Sequence, residues 1–174
     1  PKKLLTEKQK SSSFKCSDLT TGKILLPDGI IQNSSAAERL RILKAKIERA
    51  NATKNTYQVI AVSSSLPREG KSFTAVNLAR ALGNDSQGRT LLIDCELRRP
   101  TVHKFFDFKE PPGVSDVILG AKSHQDVIRT ICNGLDVITA GTPSFDPTQT
   151  IEDPLFAKFI EQLKLLQAMK IEID

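Results

Sequence analysis

The sequence predicts an α/β fold: a mainly parallel sheet sandwiched between helices, preceded by a basic arm and a single helix. Three observations predict it. An apolar, β-rich run, Val59-Ile60-Ala61-Val62, passes through a short polar loop closing on Gly70-Lys71-Ser72 and enters a helical pattern reaching Leu82. A second run, Leu91-Leu92-Ile93, has the continuous hydrophobicity of a parallel strand buried on both faces. Further apolar runs at 135–139 and 170–174 alternate with helical patterns, as a sheet built from βαβ units requires.

Residues 1–33 are Lys-, Ser- and Thr-rich with little periodicity and are expected to form a flexible basic arm, with a short extended piece at Ile24-Leu25-Leu26 before the turn Pro27-Asp28-Gly29. The folded domain is placed at 34–174. A helix is expected over 35–50, capped by Ser34 or Ser35, with Glu38 in its first turn and an apolar stripe of Leu40, Leu43 and Ile47. The first strand then covers 57–63 and its helix 71–82. Asn84-Asp85-Ser86-Gln87-Gly88 is a turn cluster, and the second strand covers 90–94. Short helices are expected at 102–106, 114–119 and 125–131, a third strand at 135–139, and a long periodic helix at 154–169 before a final strand.

The stretch around Gly70-Lys71-Ser72 carries the first chemistry. A strand fixes the loop, the loop's backbone N–H groups converge on an anion, and the helix N-terminus adds unpaired donors and the positive end of its dipole. Lys71 has the reach to touch terminal phosphates, and the Ser72 hydroxyl suits Mg²⁺. The match to G-x-x-x-x-G-K-[ST] is incomplete, because Ser65 stands where the template has its first Gly. Pro67, Arg68, Glu69, Gly70, Lys71, Ser72 and Phe73 are the candidate nucleotide-binding residues.

Asp94 follows three buried apolar residues and emerges at the carboxyl end of its strand, the edge at which open parallel sheets bind ligands. A carboxylate there can hold Mg²⁺ through water and accept a proton from an attacking hydroxyl; the alternative is a strand-terminal cap. Glu96 offers a second carboxylate on the same edge. Arg98 and Arg99 fit either a phosphate contact or a subunit interface. The run Met169-Lys170-Ile171-Glu172-Ile173-Asp174 has the form of a strand that ends on a metal-binding carboxylate, although Lys170 and Glu172 interrupt it. His103 and His124 lack metal-ligand spacing, and Asp146 and Asp153 read as turn and cap residues.

Bulk composition narrows the class. A 174-residue chain of ordinary hydrophobicity is long enough for a buried core, and no apolar run approaches the ~20 residues of a membrane span. Cys16, Cys95 and Cys132 are odd in number and widely spaced, which points to free thiols in a reducing compartment. Residues 1–57 hold twelve Lys/Arg against five Asp/Glu, whereas the remainder holds thirteen against fifteen, so the basic surplus lies outside the nucleotide core. Aromatics are scarce and do not interleave with the basic residues, so nucleic acid is not an expected partner. The arm reads as a solvated segment or as one lying near anionic lipid.

Ser64-Ser65-Leu66-Pro67-Arg68-Glu69-Gly70-Lys71-Ser72, followed by Leu92-Ile93-Asp94-Cys95-Glu96-Leu97-Arg98-Arg99-Pro100 with His103 and Phe106, resembles the bacterial tyrosine kinases, the P-loop autokinases of capsule and exopolysaccharide export. Pro112-Gly113-Val114-Ser115-Asp116, Leu135-Asp136-Val137-Ile138-Thr139-Ala140-Gly141 and Glu38-x-x-Arg41-x-x-Lys44 are similar too, so the likeness runs from about Ser34 to the end. The resemblance implies a P-loop αβα sandwich that transfers the γ-phosphoryl group of ATP to tyrosine hydroxyls in trans, with Mg²⁺. It makes Lys71 and Ser72 the Walker A residues, Asp94 and Glu96 the Walker A′ pair, and Asp174 the Walker B metal residue. Glu38, Arg41 and Lys44 become a self-association motif. It also implies a transmembrane activator or polysaccharide co-polymerase, fused or separate, that holds a cytoplasmic domain at the inner face of the membrane.

Three departures from the family pattern are visible. Glu96 replaces the usual second Asp, and Lys44 replaces an Arg, keeping charge but losing the planar fork. The chain stops at Asp174 without a tyrosine-rich tail, Tyr57 is its single tyrosine, and it starts at Pro1 rather than Met. It is therefore expected to be a portion of something longer and to lack the usual autophosphorylation cluster. Two other readings remain: a partition- or division-type ATPase, whose loop would carry a lysine at the position of Leu66, and a degenerate nucleotide-binding scaffold.

Overall fold

In the computed structural model, residues 24–26, 29–31, 35–54, 59–83, 89–109, 111–132, 134–143, 146–166 and 169–173 are described. A small antiparallel hairpin, β1 (Ile24–Leu26) and β2 (Gly29–Ile31), precedes the 20-residue helix α1 (Ser35–Lys54). Then follow β3 (Val59–Val62), α2 (Lys71–Gly83), β4 (Thr90–Asp94), α3 (Val102–Phe105), α4 (Val114–Ile118) and α5 (His124–Val127). The chain continues through β5 (Arg129–Cys132), β6 (Leu135–Ile138), α6 (Pro147–Glu152), α7 (Pro154–Leu166) and β7 (Met169–Ile173).

The described strands of the main sheet run in the order β3-β7-β4-β6-β5. All neighbours are parallel except the edge strand β5, which lies antiparallel to β6. The mainly parallel sheet expected from the alternation of runs is therefore present, with one antiparallel edge. Strand β4 lies inside the sheet and is buried along its whole length. Its side chains alternate between two cores, as a pleated strand demands. Leu92 joins Ala75, Leu78, Ala79, Leu82, Leu40 and Phe105 under α1, α2 and α3. Leu91 and Ile93 join Val114, Ile118, Val127, Phe159 and Leu163 under α4, α5 and α7. This makes the αβα sandwich, and it explains why the β4 run is continuously apolar rather than alternating.

Three expectations from the pattern are corrected. The helix expected over 125–131 ends at Val127, and Arg129–Cys132 instead form β5. Thr130 and Ile131 are β-branched, and the turn at Gly134 returns the chain against β6, so pairing outweighs the weak helical period. A separate helix, α6, lies in the segment expected to be loop after Pro147; Pro147 sits at its first turn and the Asp146 carboxylate accepts from Gln149 N at 3.0 Å. Asp153 likewise accepts from Leu155 N at 2.8 Å, so both aspartates are helix caps as expected. The third correction concerns thiols: Cys95 is a buried free thiol, but Cys132, half-buried on the edge strand, is disulfide-bonded. Cysteine spacing alone was no guide to that state.

On α1 the stripe is rotated from the one expected. Ala37 and Leu40 are buried and Ile47 packs on the core, but Leu43 is 37% exposed and Ile42 50% exposed. Opposite the P-loop helix, the segment 111–116 is laid along the carboxyl end of β6. Val114 N and Ser115 N donate to Thr139 O and Ala140 O at 2.9 Å each, and Ser115 Oγ donates to Thr142 O at 2.7 Å. Asp116 caps its own helix by accepting from Gly113 N at 2.8 Å and holds the Thr142 hydroxyl at 3.1 Å. Gly113 is required here by space, since a Cβ would run into Thr139 O and Gly141 N. Gly113→Ala is expected to cost about 1–3 kcal/mol through this overpacking, lowering Tm by roughly 3–10 °C in a thermal melt.

Candidate nucleotide and phosphoryl-transfer site

Strands β3 and β4 both pair with β7, and the registers Val62↔Ile173 and Asp94↔Ile173 bring their carboxyl ends level. The loop leaving β3 and the residues leaving β4 therefore rise from the same sheet edge. The candidate site is built there. Asp174 lies outside the described residues, as does Tyr57.

The loop 63–70 is braced by its own polar groups. Ser64 Oγ donates to Leu66 O at 3.0 Å, and Glu69 Oε2 accepts from Leu66 N at 3.1 Å. Its two left-handed residues are Arg68, with φ of 67°, and Gly70, with φ of 93°. Left-handed residues flanking Glu69 in a tight loop can turn neighbouring backbone N–H groups toward one concavity, the geometry of an anion cradle. Ser65 is not among the positive-φ residues, so the first glycine of the template has no conformational task in this loop. Gly70 needs its freedom for the turn itself and not for space, because an added Cβ there would meet nothing within 4 Å.

Helix α2 starts at Lys71, with Thr74 N donating to Gly70 O at 2.8 Å. Lys71 and Ser72 are half-buried in its first turn. Phe73 packs against the core, which leaves only its main chain to the loop, and its carbonyl accepts from Asn77 Nδ2 at 2.9 Å. Asn77 Oδ1 in turn accepts from the fully buried Arg80 at 3.2 Å, a polar column along the inner side of α2 that sequence patterning did not single out.

Asp94 is completely buried. Its Oδ1 accepts from Glu96 N at 3.1 Å and its Oδ2 from Val102 N at 3.3 Å. Loss of hydration is the dominant influence on this carboxyl and pushes it from 3.8 up to about 7; the bonds from Glu96 and Val102 oppose the rise, and the nearby Glu96 carboxylate adds to it. Glu96 Oε1 accepts from both Arg98 N and Arg99 N at 3.3 Å. That carboxylate orders the turn from which the exposed Arg98 and Arg99 side chains project.

Thr101 joins the two halves of the site. Its hydroxyl donates to Ser72 Oγ at 2.9 Å, while the N–H of the next residue, Val102, holds Asp94. The two residues expected to deal with a metal are thereby tied to one dipeptide, and both offer hard oxygen donors of the kind Mg²⁺ takes. Thr101 was not legible as a site residue in the sequence. The available signal was a hydroxyl residue just after Arg98-Arg99-Pro100, which reads as an ordinary helix cap.

Glu38, Arg41 and Lys44 lie on α1, where Arg41 Nη1 meets Glu38 Oε2 at 3.3 Å and Lys44 Nζ meets Glu48 Oε1 at 3.5 Å. Both partners of the first pair are more than half exposed. No helix among the described residues is long and apolar enough to cross a membrane.

The buried Asp94 has a measurable consequence in metal-free protein. Between pH 4 and 7 the native carboxyl keeps a proton that the unfolded chain has lost, so stability falls as pH rises through that window, and the full cost is present above pH 7. Asp94→Asn removes that cost. In EDTA its Tm is expected to exceed that of the unmodified chain by about 5 °C at pH 8, and by less than about 1 °C at pH 4.

No family model matches the chain. Individual proteins do. The tyrosine-protein kinase ptk of Acinetobacter johnsonii is 34% identical over 141 residues, covering 79% of this chain and 19% of that protein. Among solved structures, the VpsO kinase domain superposes with a TM-score of 0.66 at 30% identity, covering 80% of this chain and 72% of that one. The chimerical protein CapA2B2 gives a TM-score of 0.73 at 30% identity over 81% of this chain and 62% of that chain. The chain spans from about a fifth to under two thirds of the length of the curated relatives it matches. With 30% identity over 72% of one solved kinase domain and 34% identity to a tyrosine-protein kinase, the chain belongs to the bacterial tyrosine kinase family of P-loop nucleotide-binding proteins.

Proposed function

We propose that this chain is the phosphotransfer part of an ATP-dependent protein-tyrosine kinase that regulates capsule or exopolysaccharide synthesis and export. The observation that carries the reading is the junction at the sheet edge, where Ser72 and the buried Asp94 are held by the adjacent residues Thr101 and Val102. MgATP supplies the transferable phosphoryl group. The chain's own residues bind and orient it: the main chain of Pro67, Arg68, Glu69, Gly70, Lys71, Ser72 and Phe73 wraps the phosphates, and the Lys71 ammonium offsets their charge. Ser72 and Asp94, with Asp174, would hold Mg²⁺ directly or through water.

Asp94 is also the group suited to take the tyrosine hydroxyl proton. It stands at the carboxyl end of β4, on the sheet edge from which the loop after β3 also rises. Glu96 supplies the second carboxylate of the site, while its Oε1 also accepts from the Arg98 and Arg99 N–H groups. Among the alternatives, a partition-type ATPase needs a lysine where Leu66 stands 62% exposed.

By the same reading the physiological acceptor tyrosines and a transmembrane activator or polysaccharide co-polymerase belong to a larger assembly. That partner holds the domain at the inner face of the membrane. Self-association runs through α1, where Glu38, Arg41 and Lys44 stand beside the exposed Ile42.

Two measurements test this. The full chain is incubated with labelled ATP, Mg²⁺ and a tyrosine-containing polypeptide. Phosphotyrosine should form and fall at least about 100-fold in Lys71→Met, given the share of phosphoryl-transfer catalysis that rests on charge stabilisation. ATP hydrolysis without phosphotyrosine would move the chain to the ATPase class, and neither activity would leave a scaffold. For the second, the exposed Arg41–Glu38 pair contributes only ~0–1 kcal/mol to folding. Arg41→Ala should therefore keep its Tm within about 2 °C, while sedimentation shows a shift toward monomer.

A further inference from the structure

The hydroxyl of Thr101 is in an unusual position for its residue type. Thr101 stands at the N-cap of α3, where a threonine ordinarily accepts a hydrogen bond from the backbone of its own helix. Its side chain makes no such bond, and its φ of −134° and ψ of −15° are not those of a capping residue. The hydroxyl is turned instead to Ser72 Oγ at 2.9 Å, 29 residues away in sequence. A four-residue helix thereby goes without its side-chain cap, and the hydroxyl is spent on a long-range contact with the first turn of α2.

We propose that Thr101 is a positioning residue for the metal: its hydroxyl sets the rotamer of Ser72 so that Oγ presents a lone pair to Mg²⁺, in register with Asp94 held by the neighbouring Val102 N–H. The inference rests on the nucleotide-binding reading of the loop. A serine hydroxyl swings freely among three staggered rotamers, so without an anchor only part of its population points toward an ion. Thr101 is itself constrained by its branched Cβ and by the half-buried setting between Pro100 and the buried Val102. When Ser72 gives a lone pair to a cation, its proton needs an acceptor, and the Thr101 oxygen is already within bonding distance. The contact thus serves both states, with donor and acceptor exchanging roles. Outer-shell partners of metal ligands act in this way, and losing one weakens metal affinity about 10–100-fold.

Because the hydroxyl does not cap α3, removing it should leave the fold intact, which separates a positioning role from a structural one. The experiment titrates Mg²⁺ against binding of a fluorescent non-hydrolysable ATP analogue to the full chain, with Thr101→Val, Thr101→Ser and Lys71→Met compared. Thr101→Val is expected to raise the Mg²⁺ concentration for half-maximal binding about tenfold, with Tm within about 2 °C and analogue affinity in EDTA within about twofold of the unmodified chain. Thr101→Ser should restore the Mg²⁺ dependence, and Lys71→Met should lose analogue binding with or without metal. An unchanged Mg²⁺ dependence in Thr101→Val, an equal loss of affinity in EDTA, or a Thr101→Ser protein as impaired as Thr101→Val would each overturn the proposal while leaving the loop's nucleotide role standing. Failure of the unmodified chain to bind the analogue in Mg²⁺ would overturn both.

Discussion

Strand β4 is buried on both faces, and the rest of the site follows from that constraint. A strand in the middle of a covered parallel sheet must be apolar throughout, and Leu91, Leu92 and Ile93 satisfy the two cores on either side. Asp94 is the first polar residue after them and is still inside. An ionised carboxylate in that position is unfavourable unless something offers it charge or hydrogen bonds. Glu96 N and Val102 N do so in part, and the remaining deficit is what pushes the carboxyl up to about 7.

The loop after β3 solves a complementary problem. It must hold a concavity of backbone donors open to solvent without collapsing onto itself. Glu69 and Ser64 brace Leu66 from both sides, and the left-handed turns at Arg68 and Gly70 aim the chain back toward α2. An arginine in the left-handed region is costly, of the order of 1 kcal/mol, and such local strain is typical of binding loops held by the structure around them. The departure from the phosphate-loop template at Ser65 is explained by the same geometry, since the handedness lies three residues further on.

The far face of the sheet is fixed by contacts of another kind. Gly113 and Gly141 let two backbone segments approach closely, and Asp116, Ser115 and Thr142 cross-link them. At the opposite end of β6, Arg89 forms a two-pronged pair with the buried Asp136 at 2.8 Å, and Thr130 adds a bond at 2.7 Å. These interactions hold β6 and its antiparallel neighbour β5 in register against β4, and through β4 they keep the Asp94 edge level with the loop.

Much of this was determined by the sequence alone. The order strand, loop, helix around Gly70-Lys71-Ser72 is local, and a continuous apolar run ending in Asp94 can satisfy its burial in few ways, so fold class, loop and carboxylate were all readable from spacing. The conversion of 129–132 into an edge strand was not, because pairing with β6 outweighs a weak local helical period only once β6 is in place. Nor could spacing show that Glu96 Oε1 accepts from the turn it precedes, that Leu43 points outward, or that Cys132 is bonded. The contact between Thr101 and Ser72 depends on tertiary structure in the same sense. It links residues 29 apart through the meeting of two helix starts, and a hydroxyl that looks like a cap in one dimension acquires its partner only when the sheet brings the ends of β3 and β4 together.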